Sequence, residues 1–172
     1  MRKSAIILGA TGLVGSWLLK KLLCDSRYKT IKLFSRNSTE CDSSKIKEFL
    51  IDVSNLSKYE SDFVADEVFC CIGTTAKKTR DKSMYKAIDY GIPVTAAKLS
   101  KENGIRRFIV ISSMGANVSS TFFYNKIKGQ MERDVLKQQV EQTHILRPSL
   151  LGGIREEFRL GEAVSKGGMI LL

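Results

Sequence analysis

This chain of 172 residues has one histidine, and its four cysteines, Cys24, Cys41, Cys70 and Cys71, form no Cys-x-x-Cys pair. Four ligands at zinc spacing are therefore missing, which argues against a zinc site. Adjacent Cys70 and Cys71 end an apolar run and read as small core residues rather than redox partners. No apolar stretch reaches the about 18 residues that a membrane span needs. No internal repeat and no low-complexity linker occurs, so residues 1–172 are expected to form a single domain. The N-terminus, Met1-Arg2-Lys3-Ser4, runs directly into an apolar stretch and leaves no room for a signal peptide. The expected location on that ground is the cytosol.

Acidic residues are also few, 18 against 28 Lys and Arg, for a net charge of +10. Such a charge invites a nucleic-acid partner. However, the basic residues are scattered (Lys20-Lys21, Lys77-Lys78, Arg106-Arg107, Lys126, Lys128) and no aromatic-basic stripe joins them. A solvated basic surface accounts for this pattern better, and a polyanionic small molecule would benefit from the same field. The hydrophobic content of 43% and charged content of 27% are those of an ordinary globular domain with a real core.

The informative stretch is Ala5-Ile6-Ile7-Leu8-Gly9-Ala10-Thr11-Gly12-Leu13-Val14-Gly15. A short apolar run meets a glycine-rich turn and then a helical pattern. Glycines there allow a tight turn, close approach to a pyrophosphate, and packing of helix on strand. The open N–H groups and dipole of the helix start favour an anion. The spacing is Gly-x-x-Gly-x-x-Gly rather than Gly-x-Gly-x-x-Gly. Gly9, Thr11, Gly12, Leu13, Val14 and Gly15 are thus candidate cofactor contacts.

Periodicity along the chain predicts strands at residues 4–8, 30–34, 48–51, 68–72, 107–112 and 143–146. Helices are predicted at 12–25, where Leu13, Trp17, Leu18 and Leu22 lie near one face, and at 55–59, 121–138 and 156–165. Residues 83–103 are helical in pattern but contain Gly91 and Pro93, so a short piece to Asp89 should precede the main helix. Segments 38–44 and 76–82 read as loops. Alternating strands and helices imply an α/β, Rossmann-type, doubly wound parallel sheet with the default strand order 3-2-1-4-5-6. Residues that follow the strands (Arg36, Asp52 and Val53, Cys71, Gly73 and Thr74, Ser112 and Ser113, Pro148) should then gather on one edge of the sheet.

The tail of the second strand selects the dinucleotide. An acid there favours NAD, whereas an Arg accommodates a 2′-phosphate. The chain reads Ser35-Arg36, and no acid follows until Glu40. Arg36 can grip phosphate with its fork, so NADP(H) is expected over NAD(H), unless Arg36 is simply solvated. Asp52 and Val53 would contact the adenine.

Tyr124-Asn125-Lys126-Ile127-Lys128 supplies chemistry. Residues four apart on a helix are neighbours, about 6 Å between Cβ atoms. A cation so close favours the phenolate, and such a tyrosine exchanges a proton with a substrate oxygen near neutral pH. Tyr28 and Lys32 share the spacing but straddle a strand, where four residues span about 13 Å. A serine at the end of strand five, Ser112 or Ser113, could polarise a carbonyl toward Tyr124. His144, in a predicted core strand, reads as a buried or edge histidine rather than a catalyst.

Gly9–Gly15, Cys70-Cys71-Ile72-Gly73-Thr74-Thr75, Ser112-Ser113-Met114-Gly115-Ala116, Phe122-Phe123-Tyr124-Asn125-Lys126-Ile127-Lys128-Gly129 and Leu146-Arg147-Pro148-Ser149 occur in this order. The chain resembles the atypical short-chain dehydrogenase/reductases, specifically the Tat-interacting-protein-like group and its bacterial relatives. The resemblance implies a catalytic set of Ser113, Tyr124 and Lys128. Tyr124 would be the acid/base, Lys128 would hold the nicotinamide ribose, and Ser113 would position the substrate oxygen. It also implies NADP linkage, in agreement with Arg36. Cys71, Gly73, Thr74 and Pro148 would join the cofactor contacts. The implied activity is an NADP(H)-dependent oxidoreductase of a small carbonyl or alcohol, as monomer or homodimer. Some relatives resemble regulatory proteins, so a dinucleotide sensor or interaction module without turnover is the alternative. Family chains continue beyond the apolar end at Leu172, which implies an incomplete substrate side.

Overall fold

The computed structural model describes residues 2–75 and 77–149. Six strands form one sheet: β1 (Lys3–Leu8), β2 (Tyr28–Ser35), β3 (Ile46–Leu50), β4 (Glu67–Cys70), β5 (Arg107–Ile111) and β6 (Gln142–Leu146). Their order is β3-β2-β1-β4-β5-β6, and every neighbouring pair is parallel. This is the expected doubly wound arrangement. The order reverses at β1, whose C-terminal end carries the glycine turn.

The central strands are buried on both faces, and alternate residues serve opposite layers. From β1, Ala5 and Ile7 pack with Leu19 and Leu22 of helix α1 (Leu13–Cys24) and with Ile31 and Leu33 of β2. Ile6 and Leu8 point the other way, with Phe34, Val68, Phe108 and Val110. That second layer is closed by α3 (Ile92–Glu102) through Ala96, Ala97 and Leu99, and by α4 (Phe123–Leu136) through Met131 and Val135. The stripe that α1 buries is Gly15, Leu19 and Leu22. Trp17, expected on the inner face, is 60% exposed, because it lies on the side of the helical wheel opposite those positions. Lys20 lies over its ring instead.

The elements differ from expectation in places with physical causes. Residues 82–102 form one continuous helical run rather than two pieces separated near Asp89. Helix α2 (Lys82–Lys86) passes through a π turn (Ala87–Gly91) into α3. Pro93 sits in the first turn of α3, where it has no N–H to lose, and the wider turn takes up an extra residue without breaking the helix. Strand β3 lies two residues earlier than its predicted start. The short helix expected at 55–59 extends as a 3₁₀ segment, Val53–Asp62, capped by Asp52, which accepts the Ser54 N–H at 3.0 Å. His144 is exposed on β6, which is an edge of the sheet among the described residues. The helix predicted at 156–165 lies outside the described residues. No described helix is long and apolar enough to cross a membrane.

At the opposite edge from the glycine turn, buried Glu67 ties β4 to three other strands. It accepts from Lys3 Nζ at 2.7 Å, Tyr28 Oη at 2.5 Å and Arg107 Nη1 at 2.7 Å. Burial pushes its carboxyl up, but those three donors outweigh burial and hold it below the ordinary carboxylate value.

Candidate functional site

The C-terminal ends of the strands collect the residues picked out in the sequence. Gly9 has φ +83°, a left-handed backbone that glycine adopts freely, and its carbonyl accepts the Gly12 N–H at 3.0 Å. A side chain on Gly15 would bring its Cβ within 2.1 Å of that same carbonyl oxygen. The start of α1 is therefore pressed directly onto the turn. Gly12 caps α1 without a side-chain hydrogen bond, and the first turn contains no acid. The amides of Leu13 and Val14 have no intrahelical acceptor in such a first turn. Thr11 and Gly12 are exposed, and Leu13 and Val14 half-buried, so this positive end is open to an anion.

Past β2, Arg36 is exposed, and past β3 so is Asp52. The Ser54 N–H holds the Asp52 carboxyl below its ordinary value, helped by the nearby Arg36 charge. The two strand ends thus meet. Val53 does not join them through its side chain, which packs in the core at 8% exposure. Beyond β4, Cys71 is half-buried, with its thiol pushed up to about 12 by burial, and Gly73 is exposed. Buried Thr74 bonds Thr79 between hydroxyls at 2.9 Å. Pro148, after β6, accepts the Met114 N–H at 3.0 Å, which joins the ends of β5 and β6.

The densest polar cluster lies between β4, β5 and α4. Lys128 is 3% exposed, and its ammonium donates to the Ile111 carbonyl at 3.4 Å. Ser112 and Ser113 follow immediately, and both hydroxyls are buried with no hydrogen-bond partner. An orphaned buried hydroxyl costs about 1–3 kcal/mol. Two at a strand end therefore mark a place where a ligand can supply the partners. Tyr124 is half-buried one helical turn before Lys128. The loop from β5 is drawn onto this helix because Gly129 has no side chain: a Cβ there would lie 2.3 Å from the Asn117 carbonyl carbon. The Asn117 N–H also donates to the Asn125 carbonyl at 3.0 Å.

Sequence reading did not single out Asp89. It is 1% exposed, and its Oδ1 lies 3.0 Å from Lys128 Nζ. The contact is an ion pair without an aligned hydrogen bond, since Oδ1 has no hydrogen-bond partner. Its Oδ2 accepts the Thr74 N–H at 2.7 Å. The only trace in the sequence is an acid between Ile88 and Tyr90, both of which pack against the core.

A glycine cradle, an open helix start, an arginine after β2, orphaned serines and a buried ammonium fit a dinucleotide laid across one sheet edge. A family model described as "NAD(P)H-binding" matches residues 9–152. The chain belongs to this NAD(P)H-binding family. Within it, the protein named "Protein FMP52, mitochondrial" of Candida albicans is 39% identical over 169 residues, covering 95% of this chain and 74% of its own length. "Protein HTATIP2" of Rattus norvegicus is 31% identical over 168 residues, covering 95% of this chain and 69% of its own. This NAD(P)H-binding chain thus belongs to the same family as FMP52 and HTATIP2. The fold recurs in the Bordetella bronchiseptica enzyme WbmG in complex with NAD (TM-score 0.72, 15% identity, 86% of this chain). WbmH of the same organism, in complex with NAD+, reaches a TM-score of 0.79 at 15% identity over 97% of this chain. The chain spans 53% of WbmG and 64% of WbmH. The cytosolic location expected from the N-terminus is corrected by the fungal relatives, which are named mitochondrial at 37% and 39% identity.

Proposed function

We propose that this protein is an NADP(H)-dependent oxidoreductase acting on a small carbonyl or alcohol, with residues 1–172 forming one dinucleotide-binding domain. The observation that carries the reading is the Ser113 hydroxyl, buried without a partner two residues past the carbonyl that takes the Lys128 ammonium. Gly9–Gly15 would hold the pyrophosphate through the open amides of α1. Arg36 would grip a 2′-phosphate, with Asp52 toward the adenine. Gly73, Thr74 and Pro148 would line the path between these groups and the catalytic set.

When bound, the nicotinamide ring supplies or takes up the hydride. Ser113 donates a hydrogen bond to the substrate oxygen and fixes its place. Tyr124 gives that oxygen a proton as the carbonyl becomes an alcohol, and takes the proton back in the reverse direction. Lys128 holds a ribose hydroxyl and lends positive charge to the same corner. The loop after β5 closes onto Gly129 through the backbone of Asn117 and Val118, which fixes this corner against α4. Like its fungal relatives, the protein is placed in mitochondria under this reading, as a monomer or homodimer.

The test is NADPH oxidation across a panel of aldehydes and ketones. Tyr124→Phe should lower turnover by about 100-fold or more, the scale of general acid–base catalysis. Equal turnover in wild type and variant would remove Tyr124 from the chemistry. Wild type should bind NADPH more tightly than NADH, and Arg36→Ala should narrow the gap. No preference in the wild type refutes the role of Arg36.

A further inference from the structure

On the reading of Arg36 as the grip on a 2′-phosphate, we infer that Glu48 of β3 is the positioning residue for that arginine, and so helps to select NADP(H) over NAD(H). An exposed arginine on a loose loop would have to give up both backbone and rotamer freedom when a ligand arrives. A loop ordered beforehand spares the ligand that cost.

The connection from β2 to β3 needs such ordering. Residues 36–45 join two parallel strands without a helix, where a parallel crossover ordinarily carries one. Asn37 and Ser38 are exposed, as Arg36 is, so burial does not pin this stretch. Hydrogen bonds do. On the near side, the hydroxyl of buried Ser35 donates to the Asn37 carbonyl at 2.7 Å. On the far side, the Glu48 carboxylate accepts the Ser38 hydroxyl at 2.6 Å, the Thr39 hydroxyl at 2.7 Å and the Thr39 N–H at 2.8 Å. Arg36 and Asn37 thus form a short arch tied at both ends.

The arch ends in a constrained backbone. Glu40 has φ +53°, a left-handed conformation uncommon outside glycine, and its N–H donates to the Ser38 hydroxyl oxygen at 3.0 Å. Such a backbone persists where its surroundings fix it, and here they lead back to Glu48. The three Glu48 bonds come from neutral donors, so this carboxylate is engaged by the loop rather than by the guanidinium. The Ser38 hydroxyl and the Thr39 N–H hold it below the ordinary carboxylate value, which keeps it ionised and accepting at neutral pH. Arg36 instead extends its charge toward Asp52, at the strand end assigned above to the adenine.

The experiment is calorimetric titration with NADPH and NADH, which differ only in the 2′-phosphate. The proteins are wild type, Glu48→Ala, Glu48→Gln, Thr39→Val, Arg36→Ala and the double variant Arg36→Ala/Glu48→Ala. Glu48→Ala should weaken NADPH by about tenfold, the scale of one lost charge-assisted contact, and leave NADH within about twofold. Glu48→Gln keeps an oxygen for Thr39 and should recover most of that loss. Thr39→Val removes one of the three bonds and should weaken NADPH selectively by about threefold. It serves as the reading should Glu48→Ala fail to fold. In the Arg36→Ala background, Glu48→Ala should change NADPH binding little, because the group that it positions is gone.

Equal losses for the two cofactors would make Glu48 a general structural residue and overturn the inference. So would an unchanged NADPH-to-NADH ratio in Glu48→Ala or Thr39→Val, or a full further loss in the double variant. Tighter NADPH binding by Glu48→Ala would show that the carboxylate repels the phosphate, and would overturn it too. A wild type that does not distinguish the two cofactors would instead refute the reading of Arg36, and this inference with it.

Discussion

Replacing Gly15 by alanine perturbs the glycine turn at its tightest point. The added Cβ would stand 2.1 Å from the Gly9 carbonyl oxygen, 2.7 Å from its carbon and 3.0 Å from the Ala10 Cα. Ordinary contact begins near 3.4 Å, so α1 would have to withdraw by about 1.3 Å from the turn. All three obstacles are backbone, and none can swing aside as a side-chain tip could. Overpacking of this kind costs about 1–3 kcal/mol, and the backbone geometry puts Gly15→Ala at or above the upper end. For a domain of this size, that corresponds to a fall in Tm of about 6–12 °C.

Gly12→Ala is the internal control. Its Cβ would sit 3.3 Å from the same oxygen, and its φ of −81° and ψ of 169° suit any residue. At an N-cap, glycine and alanine differ modestly, so a change of about 1 kcal/mol or less is expected. Thermal unfolding followed by circular dichroism measures both. A Gly15→Ala protein that melts within about 2 °C of wild type, or no lower than Gly12→Ala, would refute the argument that α1 is pressed onto the turn.

Glu67→Gln should destabilise by about 2 kcal/mol in urea at pH 7. That is below the usual cost of breaking a buried pair, because the Lys3 and Arg107 side chains keep 38% and 40% of their surface in water. Glu67 is held below its ordinary value near 4.5, so its stabilisation is complete above that value and fades as pH falls through the lower folded one. The gap between wild type and variant should therefore close in acid, and a constant gap from pH 7 to pH 3 would contradict this. Among the cysteines, iodoacetamide at pH 8 should label exposed Cys24 and Cys41 and spare Cys70 and Cys71. Burial pushes those two thiols up to about 11 and 12. Labelling of Cys71 at the rate of Cys41 in the folded protein, read by mass spectrometry, would show that β4 is far more open than described.

What the sequence alone determined is whatever depends on local order. Alternating apolar runs and helical periods gave the sheet class and strand order, and Gly9–Gly15 located the sharp turn, because turn, strand and helix preferences act over a few residues. Ser113, Tyr124 and Lys128 could be proposed from the sequence because motif order and spacing survive in one dimension. Tertiary structure decided what those residues face. Lys128 meets Asp89 because a π turn carries an acid from another helix beneath it, and no spacing rule announces that pairing. Val53 turns into the core and Trp17 turns outward, since the face of a helical segment that meets the sheet is set by how the whole segment packs. Glu67 finds Lys3, Tyr28 and Arg107 only through the parallel register of separate strands. Charge partners inside this protein are chosen by strand register and helix packing, which are properties of the assembled chain.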